Sequence, residues 1–145
     1  MDEQGWTTVV AAATRAPSIH NTQPWRFTAS GDRLDLHRDR DRALPVLDPT
    51  GRQQVISCGV AAEFASVALL AAGVEAEVDL LPSPEDPDHL VTLRAGAPRE
   101  VLPGDAALAE ATGAGTPSGR RSCRARCPTR WSSGSRPTPG GSVCG

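Results

Sequence analysis

The chain lacks lysine and tyrosine altogether, and its fifteen basic residues are all arginine. Lysine codons are rich in adenine and tyrosine codons in adenine and thymine, so this joint absence indicates a gene rich in guanine and cytosine. No apolar run approaches the roughly 20 residues that span a bilayer. The acidic start, Met1-Asp2-Glu3, lacks the basic and apolar regions of a signal peptide. These absences predict a cytoplasmic protein, in which the four cysteines have no oxidising compartment for disulfides.

Acidic residues are missing from positions 111–145, which carry six arginines, whereas positions 1–110 carry nine arginines and all seventeen acids. The later segment also has no Leu, Ile, Phe or Met, so it cannot bury enough apolar surface to offset its ordering entropy. We therefore predict two regions, an ordered 1–111 and a disordered 112–145. The tail has three cysteines without a nearby histidine and a single aromatic residue, so it predicts no zinc site and no nucleic-acid module.

What remains in positions 1–111 is a mixed pattern of helices and strands. The long central helix is apolar on more than one face, which predicts an interior position. Two hairpin-like strand pairs argue against an all-parallel sheet, so the predicted fold class is α+β with an antiparallel sheet. The predicted helices are 4–15, a long helix that residues 48–51 open and that extends to about 72, and one that starts over 104–111. The predicted strands are 25–29, 34–36, 74–81 and 90–93.

A dense set of polar side chains lies between the first helix and the first strand, in the string Pro17-Ser-Ile-His-Asn-Thr-Gln-Pro-Trp-Arg-Phe27. Two prolines stiffen this segment. Its composition alone fits a capped structural loop as well as a binding loop.

The pattern Pro-Ser-x-x-Asn-x-Gln-Pro-Trp-x-Phe resembles the flavin-contacting loop of the nitroreductase superfamily, and its fuller form resembles the Acg-like, dormancy-associated branch. The similarity continues through Asp48-Pro-Thr-Gly-Arg52, Ile56-Ser-Cys-Gly59 and Pro82-Ser-Pro-Glu-Asp-Pro87, and covers roughly residues 5–111. The resemblance implies a nitroreductase-like fold of which this chain has the first half. In that branch two such halves share one chain and hold FMN at their junction.

An FMN site needs groups that both donate and accept hydrogen bonds at the ring edge, apolar cover on the ring faces, and cationic or backbone donors at the phosphate. By resemblance, Gln23 and Arg26 make polar contacts with FMN and Pro24 contacts the ring. The other cofactor-binding residues that the resemblance implies are Trp25, Phe27, Ser18 and Asn21.

Each assignment has a structural alternative that the sequence leaves open. Trp25 and Phe27 could be core residues of a strand, Ser18 could cap a turn, and Arg26 could form a surface ion pair. His20 fits a hydrogen-bonded loop residue better than a proton donor, so no catalytic residue is assigned.

The resemblance ends after Ala111, where a relative would continue with an arginine-rich phosphate-binding motif. A frameshift would explain the change. In the shifted frame, a codon that begins with thymine makes the position before it apolar, and such codons fit Ser122, Cys123, Cys127, Trp131, Ser132 and Ser135. Three functions remain: an FMN-dependent NAD(P)H oxidoreductase acting on nitroaromatics or quinones, a non-catalytic FMN-storing protein, and a non-functional remnant. The missing half, or a homodimer, would be needed to complete the flavin site.

Overall fold

A computed structural model of the protein describes residues 1–114, so the predicted tail lies outside the described residues from position 115 onward. All seven predicted elements are present within the described part, and two short 3-10 helices accompany them. The helices are α1 (Glu3–Ala13), α2 (Arg52–Ala71) and α3 (Pro103–Ala114); the strands are β1 (Trp25–Ser30), β2 (Arg33–Arg38), β3 (Val74–Leu80) and β4 (His89–Pro98); and the 3-10 helices are Ile19–Asn21 and Arg40–Arg42.

The four strands form one antiparallel sheet in the order β1-β2-β4-β3. Each hairpin pairs internally, and β2 pairs with β4 to join the two hairpins, with Leu34 opposite Leu93. A bulge follows Leu36 and brings His37 opposite His89. This arrangement confirms the predicted α+β class with an antiparallel sheet.

The core lies between one face of the sheet and the helices α1 and α2. Strand β2 contributes Leu34 and Leu36, strand β4 contributes Leu93, and the helices contribute Trp6 and Leu69, all of them at most 1 % exposed. Alternation along β2 and β4 directs these residues to one face, because successive strand side chains point to opposite sides. The opposite face carries polar residues.

Helix α2 begins and ends where the sequence predicts. The carboxylate of Asp48 accepts a hydrogen bond from the backbone N–H of Gln54 at 2.9 Å, which satisfies one free donor of the first turn. Gly73 follows the helix with a φ of +73°, the left-handed conformation of a C-terminal stop.

One side of α2 remains exposed in the described chain, so the predicted interior position holds only in part. Val55 and Ile56 are 40 % and 47 % exposed, because the described residues cover this helix from one side only. By length and composition α2 could also cross a membrane, which corrects the expectation that no segment is apolar enough. Half of its apolar window is buried in the fold, as in the core helix of a folded domain.

Alanine substitution should change the free energy of unfolding in opposite directions at two glycines of this region. A Cβ at Gly73 would lie 3.1 Å from the carbonyl oxygen of Arg99 and would occupy a strained φ, whereas a Cβ at Gly59 in α2 meets no atom within 4 Å. We expect Gly73→Ala to destabilise the chain by about 1 kcal/mol or more and Gly59→Ala to stabilise it by about 0.5–1 kcal/mol. Urea unfolding measures both, and equal shifts would contradict this account of the helix end.

Candidate functional site

The segment from Ser18 to Pro24, here called the 18–24 loop, has an uncommon backbone conformation. Its residues His20, Asn21 and Gln23 have φ values of 47°, 55° and 48°. Residues other than glycine rarely adopt this left-handed backbone region, and asparagine is one of those that tolerate it best. Such conformations persist only where the surroundings impose them, and they cluster at functional sites. The contacts that impose this one come from three directions.

The first set of contacts is local. The Ser18 hydroxyl oxygen accepts a hydrogen bond from the Gln23 backbone N–H at 2.9 Å and closes the loop on itself. The Thr22 hydroxyl donates to the carbonyl of Ile19 at 2.9 Å. The Gln23 side-chain amide donates to the carbonyl of Thr14 at 3.3 Å and ties the loop to the end of α1. The turn-capping role of Ser18 is therefore present.

The second set comes from α2. The Ser57 hydroxyl oxygen accepts from the Ile19 backbone N–H at 3.1 Å. The Cys58 thiol is fully buried and donates to the Pro24 carbonyl with an Sγ–O distance of 3.3 Å. Burial raises the pKa of Cys58 to about 12, so the thiol keeps the proton that it donates.

The third set comes from the segment that follows β2. The Asp39 backbone N–H donates to the Pro24 carbonyl at 2.9 Å. The guanidinium of Arg42 donates through one nitrogen, Nη1, to the carbonyls of Thr22 and Gln23, at 3.1 Å each. Helix α2 and the segment after β2 thus hold the loop from outside.

The predicted site residues divide by where their side chains lie. Asn21 is exposed, and Gln23 is partly exposed with no partner for its Oε1 among the described residues. Pro24 and Trp25 are buried, and Phe27 packs partly buried against the core. The loop thus exposes the Asn21 amide, while the Gln23 amide is held by Thr14 and the side chains of Pro24 and Trp25 face inward in this conformation. Core positions account for Trp25 and Phe27.

Arg26 lies on the polar face of the sheet, in an open cleft of about 310 Å³. Its guanidinium forms no ion pair among the described residues, so the surface ion pair considered from sequence is not present there. In the same cleft the ring of His37 stacks on that of His89 at 4.3 Å between centroids. Burial and the neighbouring His89 lower the pKa of His37. The cleft is lined by Arg26, Thr28, His37, Arg38, Asp86 and Asp88.

Asp88 joins the end of β2 to the loop before β4. Its carboxylate accepts from Arg38 at 2.6 and 3.0 Å through Oδ1 and from Arg40 at 2.6 Å through Oδ2. Burial alone would raise the pKa of Asp88, but the hydrogen bonds and charges of the two arginines outweigh it and lower the pKa.

Sequence reasoning missed the residues that hold the loop from outside. Ser57 and Cys58 lie in the quoted Ile56-Ser-Cys-Gly59 motif, which was given no role. Asp39 and Arg42 carried no signal of their own. Only the similarity of the 56–59 motif to the family pattern pointed toward any of them.

Curated relatives connect this chain to the nitroreductases. A Mycobacterium tuberculosis protein provisionally named NAD(P)H nitroreductase Rv3131 is 45 % identical over 92 residues, which are 63 % of this chain and 27 % of that protein. The Acg protein of the same organism, also provisionally named an NAD(P)H nitroreductase, is 43 % identical over 58 % of this chain and 25 % of its own length. The chain thus spans about a quarter of the length of the curated relatives it matches. No protein-family profile matches it.

Solved structures agree on the fold. A nitroreductase family protein of Streptococcus pneumoniae has a TM-score of 0.50 at 17 % identity, covering 70 % of this chain and 83 % of the other. One from Clostridium novyi has the same TM-score at 13 % identity, covering 68 % and 76 %. The chain is therefore a relative of the Acg-type nitroreductases over part of their length, and its described residues adopt a nitroreductase-like fold.

Proposed function

We propose that this chain is the flavin-edge segment of an FMN-dependent NAD(P)H oxidoreductase of the nitroreductase type, located in the cytoplasm. The observation that carries the proposal is the 18–24 loop, which is held in a strained conformation while the Asn21 amide is exposed and the Oε1 of Gln23 has no partner among the described residues. Strain of this kind costs about 1–3 kcal/mol per residue, and a purely structural connection between α1 and β1 does not need it.

The chemistry of the loop fits the edge of an isoalloxazine ring. That edge alternates hydrogen-bond donors and acceptors, and the free amide of Asn21 and the Oε1 of Gln23 supply both kinds. Arg26 is the cationic contact we assign, because its guanidinium is unpaired among the described residues. Ser18 supports the site by closing the loop.

The cofactor would supply the redox chemistry, accepting hydride from NAD(P)H and passing electrons to a nitroaromatic or quinone-like substrate. The residues of this chain bind and orient. His20, the one titratable side chain of the 18–24 loop, is exposed and forms no hydrogen bond among the described residues. We therefore assign the loop a binding role and no proton transfer.

A second protein surface is needed to complete the site. Large apolar side chains are exposed just before α2 and in its first turns, and contiguous exposed apolar surface marks an interface. Because the chain spans about a quarter of its relatives, we propose that the remainder of such a protein, or a second copy of this chain, covers this side. The exposed residues are Val46, Leu47, Val55 and Ile56.

Purification of the full chain tests the function. Yellow protein with flavin absorbance that oxidises NAD(P)H when a nitroaromatic is added supports the oxidoreductase. Yellow protein without turnover supports flavin storage, the second candidate, which the absence of an oriented acid or base in the loop favours. Colourless, aggregating protein that takes up no FMN supports a remnant and rejects the proposal.

Three substitutions test the assigned contacts. Glycine accepts the positive φ of Asn21 and Gln23 without strain, so Asn21→Gly removes an amide alone, whereas Gln23→Gly removes its amide together with the hydrogen bond to Thr14. Each of these, and Arg26→Ala, should weaken FMN binding about threefold to tenfold, the equivalent of one lost hydrogen bond. Flavin fluorescence titration measures the affinity. Gln4→Ala, which removes an exposed amide from α1, is the matched control, and an unchanged affinity in all three variants would reject the contacts.

A further inference from the structure

Arg42 contacts the 18–24 loop on both sides of Gln23, one of its three residues with positive φ. The carbonyls of Thr22 and Gln23 belong to the two peptide groups that flank the Cα of Gln23. Both accept from Arg42 Nη1 at 3.1 Å. Fixing the planes of two successive peptide groups fixes φ and ψ of the residue between them, since those two dihedrals are its only soft ones. The guanidinium therefore restrains both peptide planes and favours the Gln23 φ of 48°.

Arg42 is itself oriented by the fold. Its Nε lies 3.5 Å from the carboxylate of Asp39, within the same turn of 3-10 helix. Asp39 is anchored on both sides: its backbone N–H donates to the Pro24 carbonyl at 2.9 Å, and its carbonyl accepts from the side chain of Gln54 in α2 at 2.6 Å. The position of Arg42 is thus set by α2 and by the end of β2.

We propose that Arg42 is a positioning residue for the flavin edge, which sets the backbone of Gln23 and thereby the direction of the Gln23 amide. This inference rests on the proposed function for its ligand and on the hydrogen bonds above for its mechanism. Arg42 acts through the loop and is assigned no contact with the cofactor.

The neighbouring Arg40 offers a matched control. It lies in the same 3-10 helix with the same charge, but its guanidinium pairs with Asp88 on the other side of the segment. Arg42→Ala and Arg40→Ala therefore remove equal charge from adjacent places, and only the first releases the loop. Arg42→Lys retains the charge and a donor but lacks the planar guanidinium. Its FMN affinity and its rate of loop exchange should therefore lie between those of the wild type and of Arg42→Ala.

The experiment compares these variants of the full chain by FMN titration and by hydrogen exchange of peptides covering the loop. Arg42→Ala should weaken FMN binding about threefold to tenfold and speed loop exchange, with α2 exchange unchanged. Arg40→Ala should leave both values at the wild-type level. Free guanidinium at low millimolar concentration should restore FMN affinity to Arg42→Ala but not to Asn21→Gly, which a general loss of stability would not do.

The two proposals fail in different ways. If the wild-type chain takes up no FMN, the proposed function fails, and loop exchange still decides whether Arg42 holds the loop. If the loop of Arg42→Ala exchanges hydrogen at the wild-type rate, the positioning role is overturned, whatever the result of the flavin titration. Wild-type FMN affinity in Arg42→Ala, in a chain that does bind FMN, overturns it equally.

Discussion

Trp6→Ala should destabilise the chain by about 3–5 kcal/mol, the typical cost of deleting a buried tryptophan. The side chain is 1 % exposed in the core that α1 and α2 form with the sheet. Its indole Nε1 also donates to the carbonyl of Gly31 at 2.9 Å, which ties α1 to the turn between β1 and β2. Since small domains are stable by about 5–15 kcal/mol, this loss removes a large share of the total stability. Urea unfolding followed by circular dichroism measures the loss.

Trp6→Phe keeps the measurement possible if the alanine variant does not fold. Phenylalanine retains much of the apolar volume and loses only the indole hydrogen bond, so a smaller cost of about 1–2 kcal/mol is expected. A loss below about 1 kcal/mol for the alanine variant would show that α1 is not packed against the sheet as described.

Asp88→Ala should cost about 2 kcal/mol, the second largest effect. Hydrogen bonds to charged groups contribute about 1.5–3 kcal/mol. The Asp88 side chain is 25 % exposed and that of Arg38 18 %, so solvent screens the pair only in part. Removing the carboxylate leaves the half-buried guanidinium of Arg38 without its partner. A matched control is Asp79→Ala, which removes an exposed carboxylate from β3.

The stabilisation by Asp88 should depend on pH in a definite direction. Because the pKa of Asp88 is lowered in the folded chain, the unfolded chain binds its proton first as the pH falls. The contribution is therefore complete above the ordinary carboxyl pKa near 3.8 and is lost as the pH falls through the lowered value. Between about pH 6 and pH 3, the wild type should lose more unfolding free energy than Asp88→Asn. If the unfolding free energies of the wild type and of Asp88→Asn changed equally with pH, the pairing of Asp88 with the two arginines would be contradicted.

The elements of the fold were accessible from sequence because each carries a local signal. Helix α2 has a capping aspartate before it and Gly73 after it, and both act as the pattern indicates. The pairing of β2 with β4 was not accessible, because Leu34 and Leu93 are 59 positions apart in the sequence and no local pattern encodes their contact. The exposed side of α2 was missed because periodicity records which residues are apolar and not what covers them.

The candidate site was accessible only as a string of residue types. The motif located the 18–24 loop, but it could not show that Pro24 and Trp25 turn inward while Asn21 turns outward. Left-handed backbone at His20 is not predictable from composition, since only a few per cent of non-glycine residues adopt that region even though histidine is enriched among them. The support from Arg42 depends on the chain after β2 folding back, which is a property of the tertiary structure.

The supports of the 18–24 loop are distant along the chain, and this spacing sets the order in which the molecule can assemble. Arg42 follows the Thr22 carbonyl by 20 residues, and Ser57 follows Ile19 by 38. Contacts of high sequence separation form after local ones, because the entropy of closing the intervening chain must be overcome first. During synthesis on the ribosome, a nascent chain that ends before α2 therefore contains β1 and β2 but lacks Ser57, which holds the loop in the folded chain. The 18–24 loop therefore reaches its described conformation late in folding, only when the central helix has docked.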